Sequence, residues 1–419
     1  MSKRVLSWLL PAWCLCFALL LGVPYAVYVP DAGQYRLLAL GQHSAVPAPF
    51  SARILGPAMA GWLGRVTGRG VDTGFLLLGI VCLIALLGLM AGLLWSWRAP
   101  LVLAAAIFLM PFWVDIFHDY YLPDLLHAAL LAALLLFLLS GYTSLAFLLL
   151  FPAYLAREST ILIALCLVFA CWRRIRVRPA LVGAFAILAA GLISRHYNQE
   201  AAVSVHGISG GPYILGKFIW SFFKNVLGLP LWSNTLQECG SPIWTKTIPP
   251  EWHLGAIRSV GLCQPSLWGP TRLLLAWFGI FGIGPALALA MWRTLLTPGR
   301  ELPRGREMVF RFCLVYGLIS ILMAPLLGAS ADRLVEYGWP FYFVLLPWVL
   351  STSYDLRGFR SSGLLLLHLI TCWLAWFAFR QQPRSYLPAA LAVLALNALA
   401  YAVLRRYLPA ATGYSPQVT

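Results

Sequence analysis

The stretch GFLLLGIVCLIALLGLMAGLLW, residues 74–95, contains no charged side chain, and its reading decides the fold. A helix crosses the roughly 30 Å of bilayer hydrocarbon in about 20 residues. A helix that is apolar on every face has no side to turn toward water. Asp72 stands just before this run and Arg98 just after it. Similar runs recur at 6–28, 100–116, 122–140, 178–194, 271–293, 308–328, 338–351, 363–380 and 386–404. The stretch 145–172 is long enough for one tilted helix, but Arg157 and Glu158 fall in its middle. Each charge at mid-bilayer costs about 2.5–3.5 kcal/mol on insertion scales. Two short segments meeting at Arg157–Glu158 remove that cost. The expected architecture is an all-α polytopic membrane protein, residues 1–419 forming a single transmembrane domain of about 11–12 segments, some short or re-entrant.

Composition agrees. The chain has 419 residues and is 61% hydrophobic and 11% charged, where soluble domains carry about a quarter charged residues. The N-terminal MSKRVLSWLL has the basic start of a signal peptide. Its apolar run outlasts a signal h-region and no small-x-small site closes it, so a retained first helix is expected. A net charge of +16 would indicate nucleic acid in a soluble chain. Here basic loops against an anionic leaflet account for it, and no nucleic-acid partner is expected.

The basic clusters orient the chain. SKR at 2–4, SWR at 96–98, WRRIRVR at 172–178, RELPRGRE at 300–307, DLRGFR at 355–360 and RRY at 405–407 share one side if the segments alternate. The positive-inside rule makes that side cytoplasmic, with both termini there. Acids do not enter that rule and serve as a check. Of 14 Asp and Glu, only Glu301, Glu307 and Asp355 lie on the basic side. The working face is then extracytoplasmic. The longest non-membrane piece, 195–270, lies on that face and is rich in Trp, Pro and Gly. Within it YILGKFIWSFFKNVLGLPLW, residues 213–232, is too broken for a span and suits an interfacial or re-entrant helix. Cys239 and Cys263 are the two cysteines of this loop. An oxidising compartment would let them pair, and coincidence is the other reading.

Four polar clusters reach the outer face. PDAGQYRLLALGQ, at 30–42, holds Asp31, Gln34, Tyr35 and Arg36, and Arg53 follows in PFSARILGP. An interfacial helix with snorkelling arginines explains the bases but not Asp31. VDIFHDYYLPDLLH, at 114–127, holds Asp115, His118, Asp119, Asp124 and His127. Pro123 suits a helix start, with Asp124 in the first turn where the dipole favours an acid. Such carboxylates also suit an oxygen-only divalent metal site, which is left open. LAREST, at 155–160, holds Arg157 and Glu158, and ADRLVEYGWP, at 331–340, holds Asp332, Arg333 and Glu336. Helix-end ion pairs are the structural reading of both. Arginine is the usual fork for phosphate oxygens, and a carboxylate is the usual base toward a hydroxyl.

In this combination the chain resembles the GT-C superfamily of integral-membrane glycosyltransferases, bacterial type. PDAGQYRLLALG with PFSARILGP is similar to their first-loop pattern, HDYYLPD to the second acidic motif, LAREST to the basic-Glu turn and ADRLVEYGWP to the late Asp/Arg-Pro motif. The resemblance implies transfer of a sugar from a polyprenyl-phosphate carrier to an acceptor hydroxyl, lipid- or glycan-linked, with inversion and no required cofactor. It implies Asp31 as general base. It puts Arg157 and Arg333 on the carrier phosphate, with Arg53 and Arg36 in reserve. Asp119, Asp124 and His118 would orient hydroxyls, with Glu158, Asp332, Gln34 and Tyr35 lining the site. The first loop lacks the double acid of some members, which leaves a metal requirement open. A bacterial inner membrane is the expected location, since no Asn-x-Ser/Thr sequon occurs. A lipid-linked polysaccharide polymerase or ligase shares the spans, the large loop and the outer arginines. A secondary transporter would need broken helices near the midplane, usually with an internal repeat, and no repeat is visible.

Overall fold

The charge-free run becomes helix α4 (Val71–Ser96), about 39 Å long at 1.5 Å per residue. The computed structural model describes residues 3–22, 31–199, 211–235, 239–252, 257–296, 302–327, 331–353, 359–381 and 385–407. The chain divides into two compact units, Met1–Val203 with Arg300–Tyr316, and Ser204–Gly299 with Gly317–Thr419.

The first unit opens with α1 (Lys3–Gly22), the short α2 (Ala32–Ala39) and α3 (Leu55–Thr67), which turns into α4. Gly68 ends α3 at φ +65°, a left-handed cap that glycine takes without steric cost. Gly64 lets the two helices close up, since a Cβ there would stand 2.6 Å from the Gly70 carbonyl oxygen. Then come α5 (Leu101–Phe108), α6 (Phe112–His118), α7 (Asp124–Leu139), α8 (Thr143–Leu148), α9 (Leu150–Ala156), α10 (Thr160–Cys171) and α11 (Val177–Gln199). The Trp113 indole nitrogen donates to the Ile107 carbonyl at 2.8 Å, where the α5–α6 break leaves helix-end carbonyls to satisfy. The anticipated interruption at Arg157–Glu158 is present, between α9 and α10.

Helix α11 carries the membrane signature most plainly. Val177, Leu181, Phe185, Leu188 and Leu192 form an outward stripe, each at least 60% exposed. Small residues face inward instead: Ala186, Ala190 and Ser194 are buried. A water-soluble helix arranges these the other way. Large apolar side chains outside and small ones at the packing seam are what a lipid solvent selects.

The second unit contains α12 (Gly211–Asn225), a three-stranded antiparallel sheet in the order β1 (Leu231–Ser233), β3 (Ser259–Leu262), β2 (Trp244–Thr247), and a disulfide between Cys239 and Cys263. Helix α12 exposes Leu215, Ile219 and Phe222, as does Val226 just after it, and buries Ser221, Lys224 and Asn225. That is the polarity an interfacial helix shows toward lipid. Next come α13 (Trp268–Gly279), α14 (Gly284–Ala290) and α15 (Trp292–Leu296), then α16 (Arg304–Leu327), which runs on from the first unit. After α17 (Ala331–Glu336) a π-helical stretch, Pro340–Leu345, leads into α18 (Leu346–Ser353), α19 (Phe359–Arg380) and α20 (Tyr386–Tyr407).

Two breaks in this unit are sealed by side chains. Between α13 and α14 the axis bends by 68°. Asn397 on α20 donates to the Phe278 and Gly282 carbonyls at 2.7 and 3.2 Å and accepts from the Ala286 amide at 3.3 Å. In α16, Pro325 has no N–H to offer the Ile321 carbonyl. The Trp277 indole nitrogen donates to that carbonyl instead, at 3.2 Å. In hydrocarbon such backbone groups need protein partners.

The molecule is thus an α-helical polytopic membrane protein. Six described helical stretches are long and apolar enough to span, or seven if the bent pair α13–α14 is one span. The sequence suggested about 11–12. The difference lies in shorter apolar helices, Trp8–Gly22, Asp124–Leu139 and Thr143–Ala156, and in bends that composition does not register.

Candidate functional site

In the first unit the polar side chains gather around the start of α2. Asp31 is its N-cap, and its backbone carbonyl accepts from the Gln34 and Tyr35 amides. Its side chain makes no capping bond. Among the described residues the half-buried Asp31 carboxylate has no hydrogen-bond or ion-pair partner. One turn on, Tyr35 shares that side of the helix and is fully buried, edge-on to Phe50. Gln34 keeps a buried side-chain oxygen with no hydrogen-bond partner. Arg36 points elsewhere and pairs with Asp72 at 2.8 Å, both about half exposed.

Arg53 joins three segments. It follows a 3-10 turn at Phe50–Ala52 that α11 steadies, with Ser51 donating to Asn198 at 2.5 Å. Its guanidinium donates to the Tyr35 hydroxyl at 2.8 Å and grips both Glu158 oxygens at 2.8 and 2.5 Å. This fork-to-carboxylate geometry is the strongest ion-pair arrangement available to arginine. Glu158 is crowded by protein yet 37% of its side chain stays open, while Arg53 is 11% exposed. Glu158 is therefore partly open to water. Burial alone would raise its pKa, but Arg53, and after it Arg157, hold the carboxyl at about 2. Burial likewise pushes the Tyr35 hydroxyl up, against the pull of Arg53.

Arg157 and Glu158 do not pair with one another. Backbone torsions of −159° and 129° at Arg157 end α9 and turn its side chain to Asp124, in the first turn of α7. The two form a buried ion pair, each 8% exposed. One turn further along α7, His127 meets Thr160 at 3.1 Å, next to the same break. Two carboxylates and two guanidiniums thus alternate as a neutral polar floor.

His118 contacts Asp119 at 3.0 Å, both partly exposed. The Tyr121 hydroxyl donates to Asp72 at 2.7 Å, and Tyr120 stacks on Tyr121. These tyrosines also border an apolar pocket with Gly56, Pro57, Phe75 and Leu78. No set of three or more His, Cys, Asp or Glu suited to a metal ion occurs among the described residues.

In the second unit Asp332 pairs with Arg272 of α13 at 2.7 Å. Arg333 is half-buried and Glu336 is buried. Arg272 also lies over the Trp268 ring at 5.1 Å, and Lys224 lies over both Trp220 and Trp268 at 4.8 and 5.1 Å. Sequence reasoning passed over Arg272, Lys224 and these indoles. The available signal was α12 itself, where a lysine falls on the side opposite the apolar stripe.

Asp31, Tyr35, Arg53, Asp124, Arg157 and Glu158 belong to one unit, and all but Asp31 are tied by contacts or by direct charge interaction. Asp332 and Arg333 belong to the other. The chain matches no family model, no curated protein and no solved structure, so its chemistry rests on these residues themselves.

Proposed function

We propose that this protein is a membrane glycosyltransferase. It moves a sugar from a polyprenyl-phosphate carrier to an acceptor hydroxyl at the extracytoplasmic face of a bacterial inner membrane. The observation that carries the reading is Asp31, a carboxylate without a described partner, one helical turn from the Tyr35–Arg53–Glu158 chain. In the reaction Asp31 takes the acceptor proton as the hydroxyl oxygen bonds to the anomeric carbon. The bond from that carbon to phosphate breaks, and polyprenyl phosphate leaves with the electron pair, inverting the centre. A phosphate leaves without a protonated acid, so one carboxylate is enough.

The neutral floor supports this division of labour. With Glu158 committed to Arg53 and Asp124 to Arg157, neither of these acids competes with Asp31 for the acceptor proton. Arg157 has five N–H donors, so holding Asp124 and meeting a phosphate oxygen are compatible. Asp119 and His118, partly exposed, suit sugar or acceptor hydroxyls. Membrane lipid, the lipid-linked donor and a lipid- or glycan-linked acceptor are the partners.

The test is Asp31→Asn in membranes with matched protein levels, assayed for transfer from a polyprenyl-phosphate sugar. Removal of a general base lowers the rate by about 100-fold or more. Full activity would overturn the assignment. The 68° bend between α13 and α14 favours a second reading as a secondary transporter, whose sites use discontinuous helices. Gradient-driven uptake into proteoliposomes, undisturbed by Asp31→Asn, would select that reading. A loss of glycan chain length in a deletion strain, rather than of one sugar, would select a polymerase.

A further inference from the structure

Eight arginines and one glutamate meet at the end of the first unit remote from Asp72. Three segments contribute: the end of α4, the stretch from the end of α10 into the start of α11, and the start of α16. The Cys171 thiol donates to the Met308 carbonyl, and the Arg304 guanidinium donates to the Arg174 carbonyl, which fixes the turn to α16. Arg306 lies over the Trp97 ring at 5.9 Å, which brings in α4. Arg98, Arg173, Arg174, Arg176, Arg178, Arg306 and Arg311 are exposed, and Arg304 is half-buried. Glu307 is the sole acid among the described residues of these segments, and it is buried between Arg174 and Arg311 at 2.8 Å from each.

Two details separate this from a generic basic loop. Every cation in these segments is arginine, although lysine carries charge equally well and occurs at Lys3 in the first unit and at Lys217, Lys224 and Lys246 in the other. Arginine differs by its planar fork, which matches phosphate oxygens in pairs. Arg98 also holds φ +54°, the only described non-glycine residue at positive φ. A left-handed cap is ordinarily given to glycine, and an L-residue there costs about 1–2 kcal/mol.

We propose that this arginine end is a binding site for an anionic phospholipid headgroup. The outward stripe of α11 starts at Val177, between Arg176 and Arg178, and continues through Leu181, Phe185 and Leu188. A phosphate held by the arginines thus has its acyl chains laid along a continuous apolar face. Exposed Trp95 and Trp172 flank the site as headgroup-level indoles do. Basic pockets at span ends are known to recruit such lipids. The inference rests on the membrane fold and is independent of the glycosyltransferase reading.

The experiment reconstitutes the full chain with equimolar phosphatidylglycerol and phosphatidylcholine, extracts it mildly, and counts retained lipids by mass spectrometry. Wild type retains phosphatidylglycerol preferentially. Arg173→Gln/Arg176→Gln/Arg178→Gln loses that preference, by at most about fivefold per arginine. Arg65→Gln/Arg69→Gln, at the other end of α4, keeps it. Equal retention of both lipids by wild type, an unchanged preference in the triple variant, or the same loss in the Arg65/Arg69 control would overturn the proposal. If the triple variant fails to fold, wild type alone decides: preference that persists undiminished in rising sodium chloride overturns it, and a steady decline supports it.

Discussion

The two units bury positive charge by different means. In the first, Arg157 sits against Asp124 and Arg53 against Glu158, so each guanidinium is cancelled by a carboxylate. In the second, Lys224 and Arg272 both lie over the Trp268 ring, and Asp332 pairs with Arg272. A carboxylate removes the charge, whereas an indole face lowers its energy and leaves the charge in place. The first arrangement therefore makes a neutral platform.

Arg157→Ala strands Asp124 where only 8% of its side chain meets solvent, so a stability loss of about 3–5 kcal/mol is expected. Chemical unfolding in detergent measures it, and adding Asp124→Leu should recover most of the loss. If the double variant is no better than the single, the neutral-platform account breaks. Arg53→Gln costs less, about 1–2 kcal/mol, because water already reaches Glu158 and screens it. Lys224→Met comes next, at about 0.5–2 kcal/mol for a desolvated cation on an indole. A larger loss there than at Arg157 would reverse the comparison.

Acid sharpens it further. Glu158 has a folded-state pKa near 2 against the usual 4.5. Its contribution is thus complete above about pH 4.5 and is lost as pH falls toward 2. Glu158→Gln should flatten the acid limb of the stability profile in that window. An identical limb in both proteins would assign acid sensitivity to another carboxylate.

Much of this was legible in the residues. The spans showed because lipid tolerates no long polar stretch, and the break at Arg157–Glu158 showed because two charges are unaffordable inside one helix. The pairing was not legible. Arg53 and Glu158 are 105 residues apart, Arg36 and Asp72 are 36 apart, and no local pattern links either pair. Asp332 finds Arg272 across 60 residues rather than a neighbour on its own helix. The small sheet was silent for a different reason: strands of three or four residues are too short to display alternation. The Cys239–Cys263 bond, left open by composition, depends on that sheet bringing the two segments together.

The seal at the α13–α14 bend also orders events in time. Asn397 stands 119 residues beyond the Phe278 carbonyl it satisfies, on the last described helix. While the chain is being made, the bend exists before its seal does. The carbonyls of Phe278 and Gly282 wait for α20, so this unit closes from its C-terminal end and its assembly is finished last. A chain stopped ahead of Asn397 keeps its apolar segments but carries an opening in hydrocarbon that it has no means to close.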